Sequence, residues 1–387
     1  MAVAPFAPID VILIAWNRPE SLQRLVRSLS NAEYDTNARI SLTFALDFAG
    51  NSSVDAAIDA IADSLSTWPY GVVRVQRRRE RAGLRDNVLG AWRPGSDDDP
   101  PAVFLEDDIE VSPLWWQWLQ ACLRQYAASP SLLGVSLFTP DEMNEPFLNS
   151  YRRLRDGREI PMCGWQAQHA RTKGRNATSA VLFGQPMSWG ALYFANGWRR
   201  FLRHAASLRA KPVTELPRVG CPEWLHAEDP HCDHRRIAVN RWGASSWKRL
   251  LVLHMLSEGL YMVYPNMPGR TSFSTNHVEQ GVHVRSEAVL QGQRSRHRVR
   301  LVTRDWCAAQ KLKRCDNGGD DAFELPREDA IGLYDFYCER HDEPSAMRDV
   351  GANLRAVMPL PVDEDDAAAA PVDLRIVVGV DAAKTEL

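Results

Sequence analysis

The first hundred residues alternate between short apolar runs and segments in which apolar residues recur at helical spacing. Such apolar runs are typical of strands that are buried on both faces. The four runs cover residues 9–16, 40–46, 71–76 and 102–105, and the three helical segments between them cover residues 20–29, 54–65 and 84–92. This order predicts an α/β fold with a parallel, doubly wound sheet. Ligands of such sheets bind beyond the carboxyl ends of the strands.

Polar residues directly follow three of these strands. Arg18 follows the first strand, Asp47 the second, and the consecutive carboxylates Glu106, Asp107 and Asp108 the fourth. Adjacent carboxylates at the end of a buried strand repel one another unless a cation or strong hydrogen-bond donors offset the repulsion. A divalent ion that bridges phosphate oxygens does this, because hard cations prefer oxygen ligands. The pattern therefore predicts a metal and a nucleotide at this edge, with a solvated acidic loop as the alternative.

The run FLEDDIEVSP at residues 104–113 resembles the acidic motif of GT-A glycosyltransferases. In particular it is similar to that of the N-acetylglucosaminyltransferase of N-glycan branching and of the protein O-mannose N-acetylglucosaminyltransferase. The resemblance covers about residues 9–283 and implies a GT-A, Rossmann-like α/β fold, in which a mixed, mostly parallel central sheet is flanked by helices. It also implies that Asp108 coordinates Mn²⁺ (or Mg²⁺), that Asp107 lies beside the ribose or the metal, and that Glu106 lies near the sugar.

Further residues are expected to bind the donor. The resemblance implies that Arg18 contacts the nucleotide and that Asp47 reads the edge of uracil, so a UDP-sugar is the expected donor. A helix-start residue and a turn carboxylate are the simpler interpretations of these two. In the basic segment that follows the third strand, Arg81 or Arg85 is expected to pair with a phosphate, because a guanidinium can bind phosphate oxygens bidentately.

Two segments in the second half of the chain resemble the acceptor loop and the closing loop of the same family. Trp189 is expected to stack on an acceptor sugar while Gly190 lets the backbone approach closely, and a buried core tryptophan is the alternative. The loop of residues 265–283 resembles one that folds over the diphosphate. Its Ser274, Asn276 and His277 are expected to donate hydrogen bonds to phosphate or to complete the metal shell.

The general base is where the chain departs from the family pattern. The branching enzyme has an aspartate between two tryptophans, whereas the matching stretch of residues 242–247 contains no carboxylate. An inverting enzyme needs a base that takes the proton of the acceptor hydroxyl. The carboxylates that lie near enough in sequence are Glu223, Glu228, Asp229, Asp233 and Glu258. Asp229 is the expected base and Glu106 the second catalytic carboxylate. Inverting transfer is favoured, and retention stays open.

Charge and hydropathy bear on partners and location. The 387 residues carry a formal net charge of −3, so no global basic field attracts nucleic acid. No run of about 18 apolar residues could span a bilayer, and no signal peptide is recognisable at the N-terminus. The expected location is the cytoplasm if the chain is complete, and the lumen of the Golgi or endoplasmic reticulum if it is a catalytic fragment.

Three regions are predicted along the chain. Residues 1–130 form the nucleotide-sugar-binding half of the GT-A domain and residues 131–300 the acceptor-binding half. Residues 301–387 form a helical C-terminal extension, with helices at 330–338 and 345–357, an acidic, alanine-rich linker at 363–370 and a last strand at 374–378. Seven widely spaced cysteines without a CxxC pair argue against a dense disulfide framework and allow one or two bridges.

These expectations favour a transferase that moves a hexosyl or N-acetylhexosaminyl group from a nucleotide-sugar to a hydroxyl of a glycan or glycoconjugate. A nucleotidyltransferase of related fold is one alternative. Such enzymes usually carry a glycine-rich, lysine-containing phosphate loop after the first strand, where this chain has the sequence NRPE at residues 17–20. A catalytically inactive glycan-binding relative is the other alternative, and the missing base supports it.

Overall fold

The computed structural model describes residues 6–140, 180–209, 211–222, 234–243, 246–279, 298–310, 323, 325–358 and 372–378. Its N-terminal elements follow the predicted order, with bounds within two residues of the predicted ones. They are β1 (Ile9–Ala15), α1 (Pro19–Ser30), β2 (Ile40–Leu46), α2 (Ser52–Asp63), β3 (Val73–Arg78), α3 (Gly83–Ala91) and β4 (Ala102–Glu106).

The later elements include more strands, most of which are short. Those up to the middle of the chain are β5 (Ile109–Val111), α4 (Trp115–Tyr126), β6 (Leu132–Ser136), β7 (Ala180–Phe183), β8 (Ala191–Tyr193), α5 (Ala195–Arg209) and α6 (Trp247–Glu258). Those that follow are β9 (Tyr261–Pro265), β10 (Thr271–Ser272), β11 (Ser274–Asn276), β12 (Arg300–Leu301), α7 (Arg304–Ala309), β13 (Leu333–Tyr334), β14 (Arg340–His341), α8 (Ala346–Val350), α9 (Ala352–Val357) and β15 (Val372–Val378).

One mixed sheet organises the molecule. Its strand order is β14-β13-β7-β9-β6-β8-β4-β1-β2-β3-β15, and two small ribbons, β10-β12 and β11-β5, lie outside it. The four neighbours β3, β2, β1 and β4 run parallel, as the βαβ pattern predicts. Antiparallel pairs enter where β8 joins β4 and β6. The predicted α/β fold with a mixed central sheet between helices is confirmed.

Helices cover both faces of this sheet. Val11 and Leu13 of β1 pack in one apolar core with α1, α2 and the tryptophans of α4. Ile12 and Ile14 of the same strand pack in the other core with α3, α5 and α6. This is why the strand reads as a continuous apolar run, since successive side chains of a strand point to opposite faces.

The C-terminal region contributes strands to both ends of the sheet. The helix expected at residues 330–338 is wrong, because this segment contains β13, which pairs with β7 and forms a hairpin with β14. The helix expected at 345–357 is divided into α8 and α9 at Gly351, where a Cβ would lie 1.7 Å from the carbonyl oxygen of Leu256. The last strand is confirmed as β15, antiparallel to β3. The expected linker at 363–370 lies outside the described residues.

Two further features bear on the sequence expectations. Cys221, Cys307 and Cys338 are disulfide-bonded, whereas Cys122 is a free, buried thiol. Among the described residues, no helix is both long and apolar enough to cross a bilayer.

Candidate active site

Glu106 is the last residue of β4, and Asp107 and Asp108 form the turn that joins β4 to β5. The backbone N–H of Asp107 donates to the carbonyl oxygen of Ile14 at 3.0 Å, which fixes the turn beside the end of β1. Asp107 is 3% exposed and Asp108 9%. The alternative of a solvated acidic loop is therefore wrong, because these side chains are enclosed by the protein.

Arg18 is the cation that the described structure places against them. Its Nε donates to Asp107 Oδ2 at 3.2 Å, a second guanidinium nitrogen contacts Asp107 Oδ1, and a third lies 3.6 Å from Asp108 Oδ2. Pro19 at the start of α1 helps to set this position, since its fixed φ suits the first helical turn and ends the strand segment. The fork binds Asp107 bidentately and so leaves Asp108 only partly neutralised.

Burial raises the pKa of each of the three carboxyls, and their mutual repulsion adds to it for Glu106. Burial first, and then the charges of Asp108 and Asp107, raise the pKa of Glu106 to about 8. Burial raises the pKa of Asp107 to about 6 although Arg18 opposes the effect. Burial also raises the pKa of Asp108, with Arg18 again opposing it. All three shifts disfavour the ionised form, so the site favours an additional positive charge.

Asp108 offers one oxygen to such a charge. Its Oδ1 is buried without a hydrogen-bond partner, which is unusual for a carboxylate oxygen. Among the described residues, no group of three His, Cys, Asp or Glu side chains is placed to hold a metal ion. The residues present thus fit an ion held by Asp108 that takes its other ligands from phosphate and water, as Mg²⁺ and its relatives commonly do.

The expected closing loop lies directly against the carboxylate turn. Its strand β11 pairs antiparallel with β5, so that Asn276 lies opposite Ile109. The backbone N–H of His277 donates to the carbonyl oxygen of Asp108 at 2.9 Å, and the His277 ring contacts Glu110 at 2.6 Å. Asn276 Oδ1 accepts from the N–H of Val278 at 2.6 Å. Sequence predicted these residues near the site, and the pairing with β5 explains how they reach it.

Ser274 and the Trp189-Gly190 segment form a second contact between loops. Ser274 is completely buried, and its hydroxyl donates to the Trp189 carbonyl oxygen at 2.6 Å. A phosphate contact by this hydroxyl would require the loop to move. Gly190 has a φ of 91°, and a Cβ there would lie 3.0 Å from Ser274 Oγ. Its close approach is to Ser274, while Trp189 is half-buried and packs edge-on against Phe138 at 5.1 Å.

Asp47 has a structural task. Its two oxygens accept three backbone N–H groups, from Phe48 at 2.9 Å and from Ala82 and Gly83 at 2.8 Å each. These bonds tie the end of β2 to the start of α3. A carboxylate has about four lone-pair sites, so these bonds use three of them.

The two arginines of the basic segment after β3 that are expected to bind phosphate have different partners. Arg81 lies over the ring of Trp16, with its guanidinium carbon 3.6 Å from the ring centroid. Arg85 instead pairs with its neighbour Asp86 at 3.1 Å. Of the two arginines expected from sequence, Arg81 is the one that meets a residue immediately after β1.

Lys248 is a residue near the site that sequence reasoning missed. Its ammonium lies 5.8 Å from the Trp189 ring centroid and 5.9 Å from that of Trp242, and its charge lowers the pKa of Glu106. The sequence feature that could have indicated it is its position directly after Trp247. That tryptophan ends the stretch that matches the family segment with the catalytic base.

The candidate bases are distributed unevenly. Asp229 and the neighbouring Glu223, Glu228 and Asp233 lie outside the described residues. Glu258 ends α6, ten residues after Lys248, which places it about 15 Å along the helix from that lysine. It forms an ion pair with Arg200, at 4.0 Å. Glu258 therefore belongs to the far end of α6.

Comparison with known proteins gives similarity of fold alone. No family model matches the chain, and no curated protein matches it. The mannosyltransferase PcManGT from Pyrobaculum calidifontis, solved with GDP-Man and Mn²⁺, is 14% identical with a TM-score of 0.34, over 70% of this chain and 61% of that one. S. aureus TarS 1-349 is 10% identical with a TM-score of 0.34, over 67% and 58%. The bifunctional glycosyltransferase WbbM is 15% identical with a TM-score of 0.30, over 52% and 35%.

This chain thus spans less than two thirds of the length of each of these solved proteins. Identities and TM-scores this low do not assign an activity. What the structure itself defines is an α/β protein with a buried carboxylate turn beyond the C-terminal ends of its parallel strands. The positive charge around this turn is too small to favour three ionised carboxylates.

Proposed function

We propose that this chain is a metal-dependent glycosyltransferase of the GT-A type, which moves a sugar from a UDP-sugar to a hydroxyl of a glycan or glycoconjugate. The observation that carries the proposal is the buried, unpartnered Oδ1 of Asp108 within three adjacent carboxyls whose ionised forms the site disfavours. Arg18 already pairs with Asp107 there. The negative charge that Arg18 does not neutralise fits a divalent ion that binds together with a diphosphate.

Asp108 and Asp107 are the proposed metal residues. Asp108 would hold Mn²⁺ (or Mg²⁺) through Oδ1, and Asp107, fixed by Arg18, would lie beside the ribose or the ion. When bound, the ion neutralises charge that develops on the departing diphosphate. Arg18 keeps Asp107 ionised and orients it, because a bidentate ion pair fixes both partners.

The nucleotide is proposed to lie across the ends of β1 and β2. Arg18 and Arg81 supply positive charge there, and Asp47 is proposed to accept a bond from a base edge. Asn276 and His277 are proposed to contact the diphosphate from the closing loop. Their backbone is already joined to β5 and Asp108, so they need no rearrangement to be close to the ion.

The acceptor is proposed to lie against Trp189, which is half-buried and therefore retains an accessible part. Asp229 stays the proposed base. Glu106 is the proposed second catalytic carboxylate, and its pKa of about 8 suits a group that exchanges a proton near neutral pH. Nuclear magnetic resonance of the product's anomeric proton would distinguish inversion from retention.

The test measures release of the nucleotide from a panel of donors, with Mn²⁺ or with EDTA: a nucleoside diphosphate from UDP-, GDP- and dTDP-sugars, and CMP from CMP-sugars. We expect turnover of a UDP-sugar that EDTA abolishes and Mn²⁺ restores. Asp108→Asn should lower it by at least about 100-fold. Asp98→Asn, a matched change at an exposed loop position, should leave it unchanged.

Other outcomes identify the alternatives. Release of pyrophosphate from a nucleoside triphosphate, with no donor hydrolysis, would identify a nucleotidyltransferase. Glycan binding without nucleotide binding would identify an inactive relative. Full activity of Asp108→Asn in EDTA would contradict the metal proposal while leaving sugar transfer in place.

A further inference from the structure

The edge strand β15 exposes a row of apolar side chains. Five large apolar side chains are exposed among the described residues, and three of them, Val372, Leu374 and Ile376, lie on this strand at 36%, 60% and 60% exposure. Its charged residues lie on the opposite face of the strand and are also exposed. Arg375 pairs there with Asp63 of α2 at 2.8 Å. A row of exposed apolar side chains on one face of an edge strand indicates a surface that another molecule covers.

The outer edge of β15 is also open to pairing. In the described part of the chain, β15 is the last strand on this side of the sheet, and β3 is its pairing partner. Residues 372–376 pair regularly with β3, and the register becomes irregular only beyond Ile376. Natural proteins usually protect such an edge with outward charges, bulges or a cover. Within the described residues, the regular part of β15 thus combines exposed apolar side chains with a sheet edge on which no further strand is placed.

The strand is complementary to its own copy in one antiparallel register. When the two-fold axis passes through Leu374, Leu374 meets Leu374, Val372 meets Ile376, and Asp373 meets Arg375. The apolar residues then lie together on one face, with opposite charges paired on the other. Side-chain exposures of 62% for Asp373 and 46% for Arg375 leave room for these second partners beside Arg79 and Asp63.

Other registers lack this match. Centring the axis on Asp373 or on Arg375 sets like charges directly opposite each other, which destabilises a strand pair. A shift of one copy by a single residue places its apolar residues on the same face as the charged residues of the other copy. Parallel pairing in register stacks Asp373 on Asp373 and Arg375 on Arg375.

We propose that two copies of this chain associate through β15, as an antiparallel pair centred on Leu374 that continues the sheet from one copy into the other. The contact is isologous, so it closes as a dimer. A five-residue strand pair is small beside the about 1,600 Å² of a standard interface. A micromolar dissociation constant is therefore expected. The proposal is independent of the enzymatic function.

The first test measures mass by analytical ultracentrifugation over micromolar concentrations. The wild-type chain should pass from monomer to dimer as concentration rises. Leu374→Lys sets two ammonium groups opposite each other and should weaken the dimer at least about tenfold. Val357→Lys is the matched control, because Val357 is also apolar and 62% exposed but lies on α9. It should leave the dimer unchanged.

The second test reads the register by disulfide cross-linking under mild oxidation. Leu374→Cys should cross-link, since directly opposed Cβ atoms lie about 5 Å apart. Ile376→Cys should not, because its own copy lies four residues away, about 14 Å. A mixture of Val372→Cys and Ile376→Cys chains should cross-link, although neither does so alone. A wild-type chain that stays monomeric, or equal cross-linking of the Leu374 and Ile376 variants, would overturn the proposal.

Discussion

Replacing Glu106 with Gln separates the destabilising effect of the carboxyl charge from the packing of the side chain. In the folded protein, burial and the neighbouring aspartates raise the pKa of Glu106 to about 8. In the unfolded chain a glutamate has a pKa of about 4.3. Between these values the folded state keeps a proton that the unfolded state has lost. Stability therefore falls as pH rises through this window.

The expected effect follows from the two pKa values. The carboxyl destabilises the folded state by about 1 kcal/mol at pH 5 and by at most about 4 to 5 kcal/mol at pH 8. Gln keeps the shape of the side chain and cannot ionise. Glu106→Gln should therefore be more stable than the wild type at pH 8, by about 5 °C in Tm for a chain of this size, and nearly equal at pH 5.

The assay is thermal unfolding in EDTA at pH 5 and pH 8, with Tm measured by calorimetry. Glu215→Gln, at an exposed position, is the control and should change Tm at neither pH. Mn²⁺ should then stabilise the wild type at pH 8 more than the variant, because the ion offsets the charge that Gln lacks. An equal gain at both pH values would refute the titration argument, and so would no gain at pH 8.

Three other substitutions test contacts around the site. Asp47→Asn removes one acceptor oxygen from three backbone donors, and denaturant unfolding should show a loss of about 1 to 3 kcal/mol. Gly190→Ala should be destabilised by roughly 1 to 2 kcal/mol, because alanine is strained at φ 91° and its Cβ would approach Ser274. Arg18→Gln leaves Asp107 buried without its ion pair. Its loss of Tm should be larger at pH 7.5 than at pH 5, since Asp107, with a pKa of about 6, is protonated at the lower pH.

The N-terminal half of the fold could be predicted because local and tertiary preferences agree there. β1 is buried on both faces, and α1 buries Leu22, Leu25, Val26 and Leu29 on one side. Both patterns are visible in a single window of sequence. The position of the carboxylates also follows locally, since parallel strands bring their carboxyl ends to one edge.

The C-terminal region could not be predicted in this way. The segment at residues 330–338 has apolar residues that suit a helix, yet β13 within it has only two residues and pairs with β7, about 150 residues earlier. Short strands gain their stability from neighbours that no local window contains. Lys248 also needed the fold, because its place directly after residues 242–247 marked it in sequence but its distance from Trp189 depends on how α6 packs.

The partners of the arginines in the basic segment could not be predicted from the sequence either. Arg77 pairs with Asp59 of α2 at 3.0 Å, the buried Arg78 donates to Asn87 at 3.2 Å, and Arg79 pairs with Asp373 of β15 at 2.7 Å. Arg81 stacks on Trp16. Arg77 and Arg78 point to opposite faces because successive residues of a strand alternate, and Arg79 and Arg81 follow the end of β3. Composition alone describes them as one basic patch.

The conformation of Val278 explains how the closing loop and the carboxylate turn become one unit. Its φ of 45° is rare for a β-branched residue and indicates strain that surrounding contacts impose. The Asn276 side chain accepts a hydrogen bond from the Val278 N–H, and the residues on either side of Val278 form backbone hydrogen bonds with Asp108. His277 donates to the Asp108 carbonyl, and a backbone bond from Glu279 lowers the pKa of the Asp108 carboxyl. Asp108 is therefore oriented from both its backbone and its side chain by the segment that is proposed to meet the diphosphate. In the proposed function, an ion at Oδ1 would pull on this same carboxylate, and donor binding would then be coupled to the position of the loop through Asp108.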